Sequence, residues 1–543
     1  MRTAYLILPG LSLVVWLLLV KAVFASHQAV SLPAAPRPQG NPAEVRPLPR
    51  IWVKEFRFQG KLILAEAELR RLAAPYQGRT LTWQELEGLR QQLSAHLVQQ
   101  GYLNSGVQVN DQQVKAGVIT FTVVAGTLST ITIDNHSSFR TSYLQKRIAQ
   151  GAVSPLNVTT LQQNLQLLQQ DPRINKITAE LRPGTEIGEG LLAVQVEENP
   201  PWTAGVSVDN GRSPAIGDLH GQLTLTRQNL LGIGDTLQGA YGLTDGGSSD
   251  YSLAGSLPLT SSDTMITIHT ARTETVLVEE PFSDLNIVYQ TTLWRAGVTH
   301  PFVRRPDREF RLGLAFDHKE NESFLLGRPF AFFAGTDEGR GSLAIWRFSQ
   351  EFAHRGARRV MALSSSFSQG ENRSLAEDPG PGVDKRFFSW SGQGKLVVSH
   401  WLFGRESQAV LQSALQLTRA SLLPSERFSL GGMNSVRGYR ENSYLRDNGI
   451  FASLELRVPL LTNPRADALT ATLVPFLDAA RGWNSEQGVA LGTGIIGTGV
   501  GLLLSKKRWF ECRVFYGIPL GHRDTTGNSW QDRGVHVQVR LWR

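Results

Sequence analysis

The stretch SLGGMNSVRGYREN, Ser429–Asn442, decides how this sequence is read. It lies between two segments of alternating apolar and polar residues, 408–418 and 449–459. It sets Arg437 among Gly431, Gly432, Gly438 and the aromatic Tyr439. The connection from Thr418 to Gly449 far exceeds the roughly two to five residues that usually join antiparallel strands, and loops of that length commonly carry function. What this one does depends on the framework that holds it.

Outward from the loop, helical period is absent from about residue 202 onward. Alternating segments of about eight to twelve residues take its place, separated by Gly, Asp, Asn, Pro and Ser. They are 202–209, 217–227, 234–243, 251–258, 264–272, 287–299, 308–318, 340–351, 358–369, 387–400, 408–418, 449–459, 469–478, 488–500, 508–517 and 534–542. The count is sixteen, an even number as a closed single-chain membrane barrel requires; fourteen or eighteen strands also fit the pattern. In Ala409–Leu417 one face carries Ala409, Leu411, Ser413, Leu415 and Leu417, and the other Val410, Gln412, Ala414 and Gln416. In Val535–Leu541 the valines and Leu541 face one way, and His536, Gln538 and Arg540 the other. The first set suits lipid and the second a polar lumen. In water the apolar face would be a large adhesive patch, whereas in lipid a closed barrel satisfies every backbone group. Trp401, Trp483, Trp509 and Trp542 lie at or beside segment ends, where aromatic girdles form.

A loop folded into such a lumen would carry Arg437 out of water, and a desolvated guanidinium needs a carboxylate. Asp478, in VPFLDAARGW, is a candidate because it shares a strand face with Phe476. The alternative is that both charges are solvated and unrelated, and the residues alone leave this open.

The N-terminal third reads differently. Residues 1–25 carry a basic start, an apolar run from Leu11 to Val20 and small residues near Ala25. This is the pattern of a signal peptide, with a retained membrane anchor as the alternative. Residues 26–50, with six prolines between positions 33 and 49, form an extended linker. Residues 51–125 read β-α-α-β-β: a strand at Ile51–Phe58 whose phase slips once, a helix at Leu64–Ala74, and a second helix carrying Leu86, Leu89, Leu93 and Leu97. Thr82 and Glu85 form a capping box at the start of that second helix. Strands at Val107–Asn110 and Val118–Val124 complete the unit. Residues 126–199 repeat the order with strands at Thr127–Asp134, Ile174–Arg182 and Leu191–Glu197, and helices at Thr141–Gln150 and Thr159–Gln170. An edge strand in each unit offers a site for an extended peptide to pair.

The single cysteine, Cys512, excludes an internal disulfide framework. The formal charge of +8 is scattered rather than clustered, which argues against nucleic acid as a partner. No nucleophile–base set or metal-ligand spacing stands out among the scattered histidines, so an enzyme, a metal and a cofactor are not expected.

Taken as a whole, the sequence resembles the outer-membrane transporters of two-partner secretion, the haemolysin-activator group of the Omp85 superfamily. The resemblance rests on Val436, Arg437, Gly438 and Tyr439, which match that family's loop motif, with the preceding Leu430, Gly431 and Gly432 and the flanking Ser435. Phe476, Asp478 and Ala480 match its strand motif. The resemblance implies two periplasmic POTRA modules at 51–125 and 126–199, a transmembrane barrel over 200–543 with an inward loop at about 419–448, and an Arg437–Asp478 pair inside the lumen. It further implies capture of a secreted partner exoprotein by its N-terminal secretion domain, biogenesis by the barrel-assembly machinery, and a lipid-embedded wall. Two departures stand out. Residues 26–50 are too short and Pro-rich to supply the pore-plugging helix and linker of some members. The aromatic that serves as an assembly signal is penultimate here, at Trp542. An assembly factor for other outer-membrane proteins and a passive porin are the competing readings.

Overall fold

The computed structural model describes residues 50–543 apart from 136–137, 333–337, 376–381, 403, 462–467, 487–491, 507–508 and 522–526. The signal peptide and linker expected from the sequence up to residue 49, and with them the question of a plug helix, lie outside the described residues.

In the first module the phase slip has a structural origin. Lys54 interrupts the segment, giving β1 (Arg50–Val53) and β2 (Glu55–Gly60). Then come α1 (Glu66–Ala73), β3 (Arg79–Thr82), α2 (Trp83–Gln99), β4 (Gly106–Gln108) and β5 (Val118–Val124). The β-α-α-β-β reading therefore lacked β3. Four residues show too little alternation to register; β3 is a strand because it pairs antiparallel with β1. β2 lies parallel to β5, and β4 runs antiparallel along the other side of β5. Buried Leu86, Leu89, Leu93 and Leu97 of α2 pack with Phe56, Ile119 and Phe121 of this sheet, so helical period and strand alternation meet in one core.

The start of α2 is fixed by its capping box. Glu85 N–H donates to Thr82 Oγ1 at 3.3 Å, and Thr82 N–H donates to Glu85 Oε2 at 2.8 Å. Two amide groups left over by helix geometry are thereby satisfied reciprocally.

The second module holds β6 (Thr127–Asn135), α3 (Thr141–Ala149), α4 (Val158–Gln169), β7 (Ile174–Pro183) and β8 (Glu189–Glu198), with β8 between β6 and β7. Every predicted element is present.

The remainder is a closed antiparallel barrel of sixteen wall strands. They are β9 (Trp202–Asp209), β10 (His220–Gln228), β11 (Thr236–Thr244), β12 (Ser249–Pro258), β13 (Met265–Val276), β14 (Val288–Arg304) and β15 (Arg308–Leu325), the last extended by the two-residue β16 (Arg328–Pro329). After these come β17 (Arg340–Arg355), β18 (Arg359–Asn372), β19 (Arg386–Leu402), β20 (Arg405–Thr418), β23 (Asn448–Leu461), β24 (Leu469–Trp483), β25 (Thr493–Lys506), β26 (Phe510–Pro519) and β27 (Val535–Trp542); the short β21 (Phe428–Leu430) and β22 (Tyr444–Arg446) sit inside the long loop. β27 closes on β9 through Gln538↔Asp209 to Trp542↔Gly205, which removes every free edge. Outward residues such as Leu411, Leu417, Leu454 and Leu477 are exposed, while inward Val410, Gln416, Glu455 and Asp478 are buried.

All sixteen predicted segments are strands, but several are longer. β15 reaches Leu325 rather than 318, β14 reaches Arg304 rather than 299, and β24 reaches Trp483 rather than 478. β25 is displaced from 488–500 to Thr493–Lys506, with 488–491 outside the described residues. The β15 extension is polar on both faces over Lys319–Ser323, so hydrophobic alternation does not mark it; the backbone ladder with neighbouring strands does. The wall strand β23 begins at Asn448, one residue inside the loop boundary read from sequence. Trp542 shares the strand face of lumenal His536, Gln538 and Arg540, which places it on the lumenal alternation rather than in an outer girdle.

The capping box yields a prediction. Glu85 is held below the ordinary carboxylate range first by the Thr82 backbone N–H and next by the Thr82 hydroxyl, and Thr82→Ala removes the hydroxyl. A carboxyl depressed by folding stabilises fully above its unfolded pKa and loses that contribution as pH falls through its folded pKa. Thr82→Ala should destabilise the start of α2 by about 1 kcal/mol, a roughly fivefold faster amide exchange there. The gap between wild type and variant should narrow on acidification; a gap independent of pH contradicts the assignment.

Candidate functional site in the barrel lumen

The site starts from strand register. β23 pairs with β24 so that Ser453 lies opposite Asp478 and Glu455 opposite Phe476. β24 pairs with β25 so that Asp478 lies opposite Gly497 and Phe476 opposite Gly499. All these residues face inward, because side-chain period along a strand is two. The wall thus presents a carboxylate-rich patch on β23 and β24 beside a lane of glycines on β25.

The loop between Thr418 and Asn448 folds into this patch. Its hairpin, β21 with β22, brings Leu430 and Tyr444 together, and the turn is closed by Gly432 N–H to Val436 O at 3.2 Å and Ser435 N–H to Gly432 O at 3.1 Å. Gly431 N–H donates to Ser435 Oγ at 3.3 Å. Leu430, Val436 and Tyr439 pack with Phe451, Ala480 and Ile495 of the wall. Tyr439 is buried, and its hydroxyl has no hydrogen-bond partner among the described residues.

Arg437 is 3% exposed and Asp478 0% exposed, so their charges are removed from solvent. Arg437 Nε donates to Asp478 Oδ2 and Nη2 to Asp478 Oδ1, each at 2.7 Å, a bidentate pair. The Arg437 backbone N–H also donates to Asp478 Oδ2 at 3.1 Å. Nη1 reaches Glu455 Oε1 at 2.8 Å and Nη2 reaches Ser453 Oγ at 3.1 Å. The guanidinium carbon lies 3.7 Å from the Phe476 ring centroid and 4.7 Å from that of Phe515, two rings that meet edge to face beside it. Arg457 donates to the other oxygen of Glu455 at 2.7 Å, so two arginines face two carboxylates. Lysine would keep one charge but lose the fork and the stacking.

Gly438 completes the fit. Its φ is +95°, and a Cβ there would lie 2.9 Å from the Gly517 carbonyl carbon on β26. A Cβ on Gly517 or Gly497 would in turn collide with the backbone of Arg437 and Gly438. The loop backbone therefore lies directly on the wall. Gly438 N–H donates to His536 Nε2 at 3.2 Å across this contact.

Two further anchors hold the loop elsewhere on the wall. Glu426, fully buried, accepts from Lys319 Nζ at 2.5 Å and from Arg347 Nη2 at 3.0 Å, on β15 and β17. Arg347 also donates to Asp317 at 2.7 Å. Arg440 Nε donates to Asp532 Oδ1 at 2.5 Å, and Nη1 to Glu279 at 2.7 Å. Burial pushes the Asp532 carboxyl up, but hydrogen bonds from Arg440 and Ser529 hold it below the ordinary range. The loop is thus tied to the barrel near β15/β17, near β23/β24, and through connections that follow β13 and precede β27.

Sequence reasoning singled out Arg437, Asp478, Phe476 and Ala480, and the structure brings all four to one place. It missed Glu455, Ser453, Phe515, His536, Glu426 and Arg440. Ser453, Glu455 and Arg457 alternate along one strand face, a legible signal of a lumenal polar row; alternating Gly497, Gly499 and Gly501 mark the wall left bare for the loop. Trp542 belongs to the closing strand and not to this site.

A closed sixteen-strand membrane barrel preceded by small α/β modules, its longest loop clamped inside the lumen by buried ion pairs, defines an outer-membrane polypeptide transporter of the Omp85 type. The comparisons agree. The family model for the haemolysin secretion/activation protein ShlB/FhaC/HecB matches residues 188–504, and that for the ShlB-type POTRA domain matches 51–126. The outer membrane transporter CdiB of Dickeya dadantii is 23% identical over 508 residues, covering 87% of this chain and 84% of that protein. CdiB of Escherichia coli is 25% identical over 460 residues, covering 80% and 73%. A solved structure of CdiB from Escherichia coli superposes with a TM-score of 0.71 over 98% of each chain at 19% identity, the same fold.

The chain belongs to the ShlB/FhaC/HecB family of haemolysin secretion/activation proteins. It is an outer-membrane transporter of two-partner secretion that serves a secreted exoprotein, with its POTRA region in the periplasm. Its relatives are transporters rather than enzymes.

Close backbone contact makes Gly438 a sensitive probe. Gly438→Ala combines an unfavourable φ, costing about 1–3 kcal/mol, with a collision at Gly517. Limited proteolysis of the folded barrel should then cleave within 429–442, where the wild type resists; equal resistance contradicts the contact.

Proposed function

We propose that the clamped loop is the working element of secretion, and that Arg437 is its pivot. The observation that carries this is the convergence of Asp478, Glu455, Ser453 and two aromatic rings on one guanidinium that belongs to a loop. A loop needed only to connect strands would not require a buried charge with this many partners. The exported, unfolded exoprotein reaches the periplasm, its N-terminal secretion domain pairs with a POTRA edge strand, and the polypeptide passes through the lumen past the loop. Leu430, Gly431, Gly432, Ser435, Val436, Gly438 and Tyr439 shape and seat the loop, and Phe476, Asp478 and Ala480 form its receiving wall. Folding of the exoprotein outside supplies the drive.

In this reading residues 1–25 direct export, 26–50 link, 51–125 and 126–199 are the two POTRA domains, and 200–543 form the barrel. The repeated order of β6, α3, α4, β7 and β8 supports the second POTRA assignment. The barrel-assembly machinery inserts the wall into outer-membrane lipid, with Trp542 on the closing strand as its signal. The protein performs no catalysis. The competing assembly-factor and porin readings are not favoured by the family match.

Arg437→Ala leaves buried Asp478 without its bidentate partner, a loss of about 3–5 kcal/mol from the loop's attachment. Secretion of the exoprotein should fall sharply while heat-modifiable migration still reports a folded barrel. Asp478→Ala should give a similar defect, and the double variant less than the sum. Normal secretion by folded Arg437→Ala overturns the proposal.

A further inference from the structure

The lumenal cations Arg295, Arg347, Arg437 and Arg457 are all ion-paired. Two cations on the outer face are not. Arg227 of β10 and Lys506 of β25 make no side-chain hydrogen bond or ion pair among the described residues, and Arg227 Nη1 is a buried donor without a partner. Each instead lies over a tryptophan: the Arg227 guanidinium 5.3 Å from the Trp202 ring centroid, and Lys506 Nζ 5.2 Å from that of Trp509.

The topology places the two pairs on either side of the barrel seam. In the wall the neighbours run β10-β9-β27 and β27-β26-β25, so the pairs flank the strands that close the barrel. Trp202 lies directly opposite Arg227 on β9 and β10. Trp542 N–H, at the end of β27, donates to Trp509 O at 3.1 Å. Trp202 and Trp509 are thus separated by two strand spacings, about 10 Å. Because the POTRA region is periplasmic, the chain enters β9 at the periplasmic end; both pairs sit at that end of their strands. Trp202 is 55% and Trp509 47% exposed. The outward positions of β9, β10, β25, β26 and β27 hold no Asp or Glu, and they carry Val206, Leu223, Leu225, Leu502, Val514 and Leu541 toward the acyl chains.

The geometry points to a bipartite binding site for anionic phospholipids on the outer face of the barrel seam, at its periplasmic rim. Arg227 and Lys506 lie four strand spacings apart, about 19 Å, so each holds the phosphate-bearing headgroup of its own lipid, with Trp202 or Trp509 setting its depth and the apolar seam strands carrying the acyl chains. Charge complementarity selects this occupant. Two unpaired cations without a neighbouring carboxylate attract net negative charge, and amphipathic tryptophan sits at the headgroup level of a bilayer. The site rests on the outer-membrane location of the barrel and not on the role given to Arg437.

The test uses the full-length transporter purified in detergent. It is titrated with dioleoyl phosphatidylglycerol or dioleoyl phosphatidylcholine, and bound lipid is counted by native mass spectrometry. Wild type should bind phosphatidylglycerol in preference to phosphatidylcholine. The Arg227→Gln/Lys506→Gln variant should bind phosphatidylglycerol about fivefold more weakly at each half of the site, as expected for the loss of one interfacial cation from each, with phosphatidylcholine binding unchanged. Lys506→Arg, which keeps the charge, should bind as wild type does. Equal binding of the two lipids by wild type overturns the proposal, as does undiminished phosphatidylglycerol binding by the double variant. Displacement of bound lipid by soluble glycerol phosphate would assign the cations to free phosphate and overturn the lipid site.

Discussion

A guanidinium taken out of water must be matched on every side, and the lumen of this barrel is organised around that requirement. Arg437 alone would be prohibitively costly to bury. Its Nε, Nη1, Nη2 and backbone amide instead all find acceptors on β23 and β24, and two aromatic rings pack against the guanidinium. The stability gained from the pair itself is modest, since desolvation offsets much of the Coulomb attraction. What the pair provides is a single allowed position for a loop of about thirty residues, a length at which conformational entropy favours many positions.

The other anchors explain why one clamp suffices to place so long a segment. Glu426 and Arg440 lie on either side of Arg437 in sequence and reach different sectors of the wall. The three are not equivalent. Arg437 engages buried carboxylates on wall strands and Glu426 is itself a buried carboxylate held by wall cations, whereas Arg440 meets Asp532 and the more exposed Glu279 in connections between strands. The glycine lane on β25 and Gly517 on β26 let the loop backbone approach the wall without side chains between them. Wall and loop are therefore complementary in shape as well as in charge.

Much of this is legible in the amino-acid sequence. Period-two alternation located every wall strand, because lipid outside and water inside impose opposite demands on neighbouring residues. It failed at strand ends such as Lys319–Ser323, where both faces are polar and only the backbone ladder defines the strand. It also missed β3, whose four residues become a strand only through β1. Charge logic led from Arg437 to one carboxylate, Asp478, and stopped there. Glu455 was hidden because register decides which residue of β23 lies beside Asp478, and register is a tertiary property. Glu426 and Arg440 were hidden for a similar reason: their partners are 79 or more residues away in sequence and have no motif.

The central claim is that the Arg437 clamp holds the loop on the wall and that secretion requires it there. Met433 packs beside Phe476 and Phe515, so a photo-crosslinking side chain placed at Met433 reports where the loop lies. In cells exporting the exoprotein, the account predicts adducts to β24 or β26 in the otherwise native protein, and loss of these adducts together with secretion when Arg437 is replaced by Ala. Adducts that persist undiminished without the guanidinium, or that vanish while secretion continues, would contradict it.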